Sequence, residues 1–170
     1  DGRIAVLLPH GVLFRGGAEK KIREYLIGTL NVVDAIIGLP VNLFHGTSIP
    51  TIVMILKKNR NGDSDNIFFM DASKYFKKGK NMNELAEEDI NRIVEGYKKR
   101  ESIDKFAYKA PLSEVKKDND FNCNIPRYVD TFEEEEPVDL DAVKSKIQTL
   151  DSETIAAIDK AESFMRQLGL

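Results

Sequence analysis

The 170-residue sequence has one cysteine, Cys123, and no tryptophan. A single thiol excludes an internal disulfide and fits a reducing compartment, expected to be the cytoplasm. Two histidines and one cysteine are too few for a structural zinc site, so no metal is expected. No apolar run approaches the roughly 18 residues that a membrane span requires. No charged segment followed by a short apolar core opens the sequence, so a signal peptide is not read here. Net charge is modest at -3, which excludes a strongly basic nucleic-acid-binding domain. GxGxxG, a Walker loop, HExxH and CxxC are all missing. Internal repeats and low-complexity tracts are missing too.

What remains is an ordinary globular composition, 42% hydrophobic and 31% charged. The length suits one domain, or one domain with a tail. Charge is uneven along the chain. Residues 1–60 carry 8 basic and 4 acidic side chains, whereas residues 111–170 carry 7 and 14. Ile4 to Leu8 is a run of apolar residues ended by Pro9, the pattern of a buried strand. It begins almost at Asp1, and a buried strand needs neighbours, so the chain is expected to extend upstream. Ala18 to Ile27 reads as a helix with Ile22, Leu26 and Ile27 on its apolar face and Gly28 as its stop. Val32 to Ile37, Thr51 to Leu56 and Ile67 to Met70 are three further strands. Strand, helix, strand signals a parallel βαβ unit. The second and third strands lack an intervening helix and are expected to be antiparallel neighbours at the sheet edge. The fold class is therefore α/β, with a reversed edge strand.

Beyond residue 75 the pattern changes. Glu87 to Tyr97 reads as a helix with Ile90, Ile93, Val94 and Tyr97 as its stripe, and residues 111–127 as loop and short pieces. Glu133 to Glu136 with Pro137 reads as a solvated linker. Two helices follow, the first capped by Asp139 and the second by Asp151. Their stripes are Leu140, Val143, Ile147 and Leu150, then Ile155, Ile158, Ala161, Met165 and Leu168. The divisions expected are residues 1–75 as an α/β core, 76–132 as a mixed helical and loop extension, and 133–170 as an acidic linker with helices.

Little chemistry is visible. Gly16-Gly17 before a helix can offer backbone donors to a phosphate, but reads better as a flexible loop. His10 follows a strand end, where ligands of open α/β sheets gather, yet reads better as an ordinary polar loop residue. Cys123 lies between two asparagines with no nearby base, which argues against a nucleophile. Phe44 falls in the loop segment Val41-Asn42-Leu43-Phe44-His45-Gly46, off any periodic stripe. The pattern favours packing under the loop over stacking on a flat ligand such as a nucleobase.

Three segments in order carry a resemblance. They are Gly2-Arg3-Ile4-Ala5-Val6-Leu7-Leu8-Pro9-His10-Gly11-Val12-Leu13-Phe14, Leu39-Pro40-Val41-Asn42-Leu43-Phe44-His45-Gly46-Thr47-Ser48-Ile49-Pro50-Thr51, and Asn124-Ile125-Pro126-Arg127-Tyr128-Val129-Asp130. Together they resemble the modification (M) subunit of type I restriction-modification systems, adenine-N6 DNA methyltransferases that use S-adenosylmethionine. The resemblance implies the carboxyl-terminal portion of such a subunit, the distal part of a Rossmann-like methyltransferase sheet followed by a mainly helical tail. It implies that the cofactor-binding glycine motif and the Asn-Pro-Pro-Phe catalytic motif lie upstream. No catalytic or cofactor-binding residue is then expected within these 170, and the chain alone is expected to be inactive. It implies that Phe44 stacks on the flipped target adenine, with His45 beside it. The implied partners are DNA, the specificity (S) subunit, which the terminal helices would contact, and the restriction (R) subunit. The alternative is a non-catalytic helical protein-protein interaction module.

Overall fold

The computed structural model describes residues 2–132 and 139–168. The expected linker Glu133 to Pro137 lies outside the described residues. The chain divides into two compact units, one ending at Phe132 and the other containing the terminal helix.

The first unit is built on a five-stranded sheet. Its strands are β1 (Arg3–Pro9), β2 (Val33–Gly38), β3 (Thr51–Lys57), β4 (Asn66–Asp71) and β5 (Ala107–Pro111), in spatial order β1-β3-β2-β4-β5. β2 pairs parallel with β4, and the other pairings are antiparallel. β2 and β3 are antiparallel neighbours as expected, but they do not lie at the edge. β3 is inserted between β1 and β2, so those two strands run the same way without touching. The apolar character of Ile52 and Met54, both buried, fits this interior place. β5 has no counterpart in the sequence reading. Its Ala107 and Ala110 are buried opposite Met70 and Ile67, so small size rather than β-propensity places it.

Apolar clusters cover both faces. One gathers Leu13, Ile27, Ile36, Ile52, Phe69 and Tyr128, and the other Ile37, Leu39, Phe68, Met70 and Phe106. Helix α1 (Ala18–Arg23) runs on through a π-helical turn (Glu24–Thr29). Gly28 does not stop it. Asn31, in the left-handed region at φ 50°, ends the segment, the place where asparagine is tolerated. Ile22 is exposed and Arg23 is buried, the reverse of the amphipathic expectation. The Arg23 guanidinium donates to the carbonyls of Phe121, Val12 and Arg15 at 2.9, 2.7 and 2.8 Å. Those three bonds satisfy its buried charge and fix the turn after β1 against residues 119–122. Helix α2 (Glu87–Lys99) buries Gly96 and packs Ile93 and Tyr97 inward, while Ile90 and Val94 stay exposed.

The second unit is one helix, α3 (Leu140–Gln167), of 28 residues. Asp139 caps it, accepting from the N–H groups of Asp141 and Ala142 at 3.0 Å each. Asp151 is not a second cap. Neither glycine nor proline separates Leu150 from Ile155, and Asp and Ser alone cost a helix interior only about 0.5 kcal/mol each. All the described residues of α3 are exposed, and no helix is long and apolar enough to cross a membrane among the described residues.

Candidate functional site

Because β1, β2 and β4 share a direction, their carboxyl ends meet on one rim of the sheet with the start of β3. Pro9 faces Thr51 across the β1–β3 ladder, and Gly38 faces both Ile52 and Asp71. Open α/β sheets bind ligands at such rims.

The loop joining β2 to β3 rises from this rim. The Leu39 N–H donates to the Thr51 carbonyl at 2.9 Å and closes its base. Leu43 packs into the apolar cluster of the sheet face. The next residue, Phe44, is 38% exposed. A turn follows, in which the Thr47 N–H donates to the Phe44 carbonyl at 3.4 Å. Gly46 adopts φ 77°, where an L side chain would be strained. The Thr47 hydroxyl accepts from the Ile49 N–H at 3.2 Å and rigidifies the descending arm. His45 stands exposed at the corner of the same turn. Phe44 and His45, singled out from the sequence, are thus presented together.

His10 lies at the same rim, in a short 3-10 turn (His10–Leu13). Burial lowers its pKa, opposed by the Thr51 backbone and the Asp71 carboxylate. Its Nε2 and the Thr51 hydroxyl are buried and find no hydrogen-bond partner among the described residues. Gly16-Gly17 forms an open turn before α1, with free space around both residues. Cys123 is a core residue, its N–H donating to the Leu13 carbonyl at 2.9 Å. Burial pushes its thiol up to about 12, so it is protonated at neutral pH. Among the described residues, no group of three or more His, Cys, Asp or Glu converges as a metal site.

The third segment, Asn124 to Asp130, lies under this rim as support. Its 3-10 turn (Ile125–Arg127) seats Ile125 against Gly38, where an added Cβ would come within 2.8 Å of the Ile125 Cδ1. Tyr128 stacks on Phe69 with centroids 3.8 Å apart, and its hydroxyl donates to the Asn122 carbonyl at 2.6 Å. These packing roles had no local sequence signal, because each partner is distant in the chain.

Comparison with known proteins gives a consistent set. The family model described as N-6 DNA Methylase matches residues 1–137. The methylase subunit of the MjaVII type I restriction enzyme from Methanocaldococcus jannaschii is 35% identical over 96% of this chain and 29% of its own length. The methylase subunit of the MpnII type I restriction enzyme from Mycoplasma pneumoniae is 35% identical over 88% of this chain and 27% of its own. Among solved structures, the type I restriction-modification methyltransferase subunit from Streptococcus thermophilus superposes with a TM-score of 0.71 at 53% identity. That match covers 76% of this chain and 27% of the other. The chain thus spans less than a third of the length of each.

Proposed function

Since the chain belongs to the N-6 DNA methylase family, we propose that it forms part of an adenine-N6 DNA methyltransferase subunit of a type I restriction-modification system. In this reading Phe44 receives the target adenine after it leaves the duplex, and His45 borders the same site. The observation that carries the assignment is the partial exposure of Phe44 at the sheet rim, one residue after Leu43 anchors the loop. A flipped base loses its stacking in the duplex, and an aromatic face returns some of it, about 1–3 kcal/mol.

S-adenosylmethionine supplies the methyl group in this chemistry. The Gly16-Gly17 turn opens to solvent, and the Asp71 carboxylate at the rim accepts from the Ser73 N–H at 2.9 Å. We place its site outside the described residues, along with the groups that act on the adenine amino nitrogen. Incubating duplex DNA with methyl-labelled cofactor tests this. The full-length protein should yield N6-methyladenine, and the 170-residue chain alone should yield none. Turnover by the isolated chain, or none by the full-length protein, overturns the assignment.

Helix α3 favours a subunit-contact role for residues 133–170. Leu140, Val143, Ile147, Leu150, Ile155, Ile158, Met165 and Leu168 are 43% to 76% exposed. A stripe of this length suits a helical partner, in this reading the S subunit, with the R subunit joining the assembled complex. This interaction role also accommodates the reading of the chain as a helical docking module. Ile147→Glu with Leu150→Glu removes two apolar anchors, each worth about 1.5–3 kcal/mol when buried. The S subunit should then fail to co-purify, while the melting of residues 2–132 stays unchanged. Normal co-purification would remove α3 from the interface.

A further inference from the structure

A second loop stands beside the one that carries Phe44. After β4 the chain folds back as a short hairpin, in which the Lys77 N–H donates to the Glu84 carbonyl at 2.8 Å and the Glu84 N–H to the Lys77 carbonyl at 3.0 Å. The hairpin is fastened to the Phe44 loop. Asn83 is buried, its N–H donates to the Asn42 carbonyl at 2.7 Å, and its side chain donates to the Val41 carbonyl at 2.8 Å. The Asn42 side chain returns a bond to the Asn81 carbonyl at 3.2 Å. Gly79 sits where a Cβ would run into the Met82 carbonyl oxygen, so the tip is tightly turned.

The charge of this hairpin is one-sided. Residues 77–84 carry three lysines, Lys77, Lys78 and Lys80, against one acid, Glu84. Lys74 donates to the Thr131 carbonyl at 3.4 Å. Lys77, Lys78 and Lys80 are exposed and form no ion pair with a described residue. The contrast with the other cations of this sheet is sharp. Lys57, Arg60 and Arg100 all converge on Asp34, and Lys109 pairs with Asp63.

We propose that Lys77, Lys78 and Lys80 hold the phosphates of the DNA strand that flank the base received by Phe44. The proposal rests on the base-stacking reading above. Its own support is the bonded attachment of a hairpin with three lysines outside any described ion pair to the loop two residues from Phe44. The open surface suits a polyanion rather than an enclosed small anion. Lysine ammonium groups act as point charges and read no sequence. Their task is to pin the backbone while one nucleotide rotates out, which fixes where the base arrives.

The test uses the full-length protein and a duplex with 2-aminopurine at the target adenine. Binding is measured by anisotropy between about 50 and 200 mM salt. Each lost phosphate contact lowers the slope of log K against log salt by about 0.9. The combined variant Lys77→Gln, Lys78→Gln, Lys80→Gln should lose about 2 to 3 from that slope, and the triple arginine variant should keep it. Phe44→Ala should leave the slope intact but reduce the 2-aminopurine fluorescence rise. An unchanged slope in the folded glutamine variant overturns the lysine proposal while leaving the Phe44 reading standing. Absence of any fluorescence rise in the unmodified protein removes the Phe44 reading and, with it, the flanking position assigned to the lysines. Should the triple glutamine variant misfold, the three single variants decide by a slope loss of about 0.9 each or none.

Discussion

Asp34→Ala should unfold the first unit, at a cost of about 3–5 kcal/mol, the range for stranding buried charges by removing their partner. Asp34 is fully buried within β2, at a register shift between Val33 and Ala35 in the pairing with β3. Such irregularities re-aim a side chain, and this one directs a carboxylate at cations from three places in the chain. Lys57 Nζ lies at 2.9 Å, Arg100 Nη1 at 3.1 Å and Arg60 Nε at 3.7 Å. The Tyr97 hydroxyl donates to the same carboxylate at 2.7 Å. Arg100 sits in the left-handed region at φ 53°, just past α2, and this turn aims it back at β2. The network therefore ties α2 and the ends of β2, β3 and β4 together. Without the carboxylate, three buried or half-buried cations face one another. Burial raises the Asp34 pKa, but Lys57, Tyr97 and Arg100 outweigh it and hold the carboxyl below its ordinary range. The folded state therefore binds fewer protons than the unfolded state in acid. The stabilisation is complete above the ordinary value, near 3.9, and is lost as pH falls through the lower folded value. Asp63, beside Lys109 and Arg100, shifts in the same direction. Chemical denaturation at pH 7 and at pH 3 checks both points. A Tm for Asp34→Ala equal to that of the unmodified protein would remove the network from the stability of the fold.

The strands β1 to β4 were legible because each is a short apolar run, closed by Pro9 in β1, Gly38 in β2, Lys57 in β3 and Asp71 in β4. Their order was not, since nothing local in Thr51 to Lys57 says that it slides between β1 and β2. Asp34 left only a faint trace, a charge inside an apolar strand. Its partners Lys57, Arg60 and Arg100 are 23 to 66 residues away, so no spacing rule unites them. The Asp139 cap was legible because its bonds are local. Asp151 imitated that signal without the chain break that gives a cap its function. At the rim, Phe44 stood out as an aromatic off any stripe, but whether it pointed in or out depended on Leu43 taking the inward place. Asn83 and the lysine hairpin left no local signal for the same reason as the strand order: the bonds of Asn83 to Val41 and Asn42 cross 42 and 41 residues.

Phe44→Ala separates base capture from packing. In the full-length protein the methylation rate should fall by one to two orders of magnitude, the kinetic equivalent of about 1–3 kcal/mol of lost stacking. Stability should change less than for Leu43→Ala, because Phe44 is partly exposed and Leu43, not Phe44, packs into the sheet's apolar cluster. Leu43→Ala is the contrasting variant. It empties an apolar contact beneath the loop and should lower the Tm as well as the rate. Phe44→Tyr keeps an aromatic face and should retain most of the activity. A mismatched base opposite the target reduces the energy needed to extrude the adenine. The deficit of Phe44→Ala should therefore shrink on that substrate if stacking stabilises the extruded state. If instead Phe44→Ala lowers the Tm as far as Leu43→Ala does, or methylates at the normal rate, Phe44 is a packing residue. The target base must then be held by another surface of the rim.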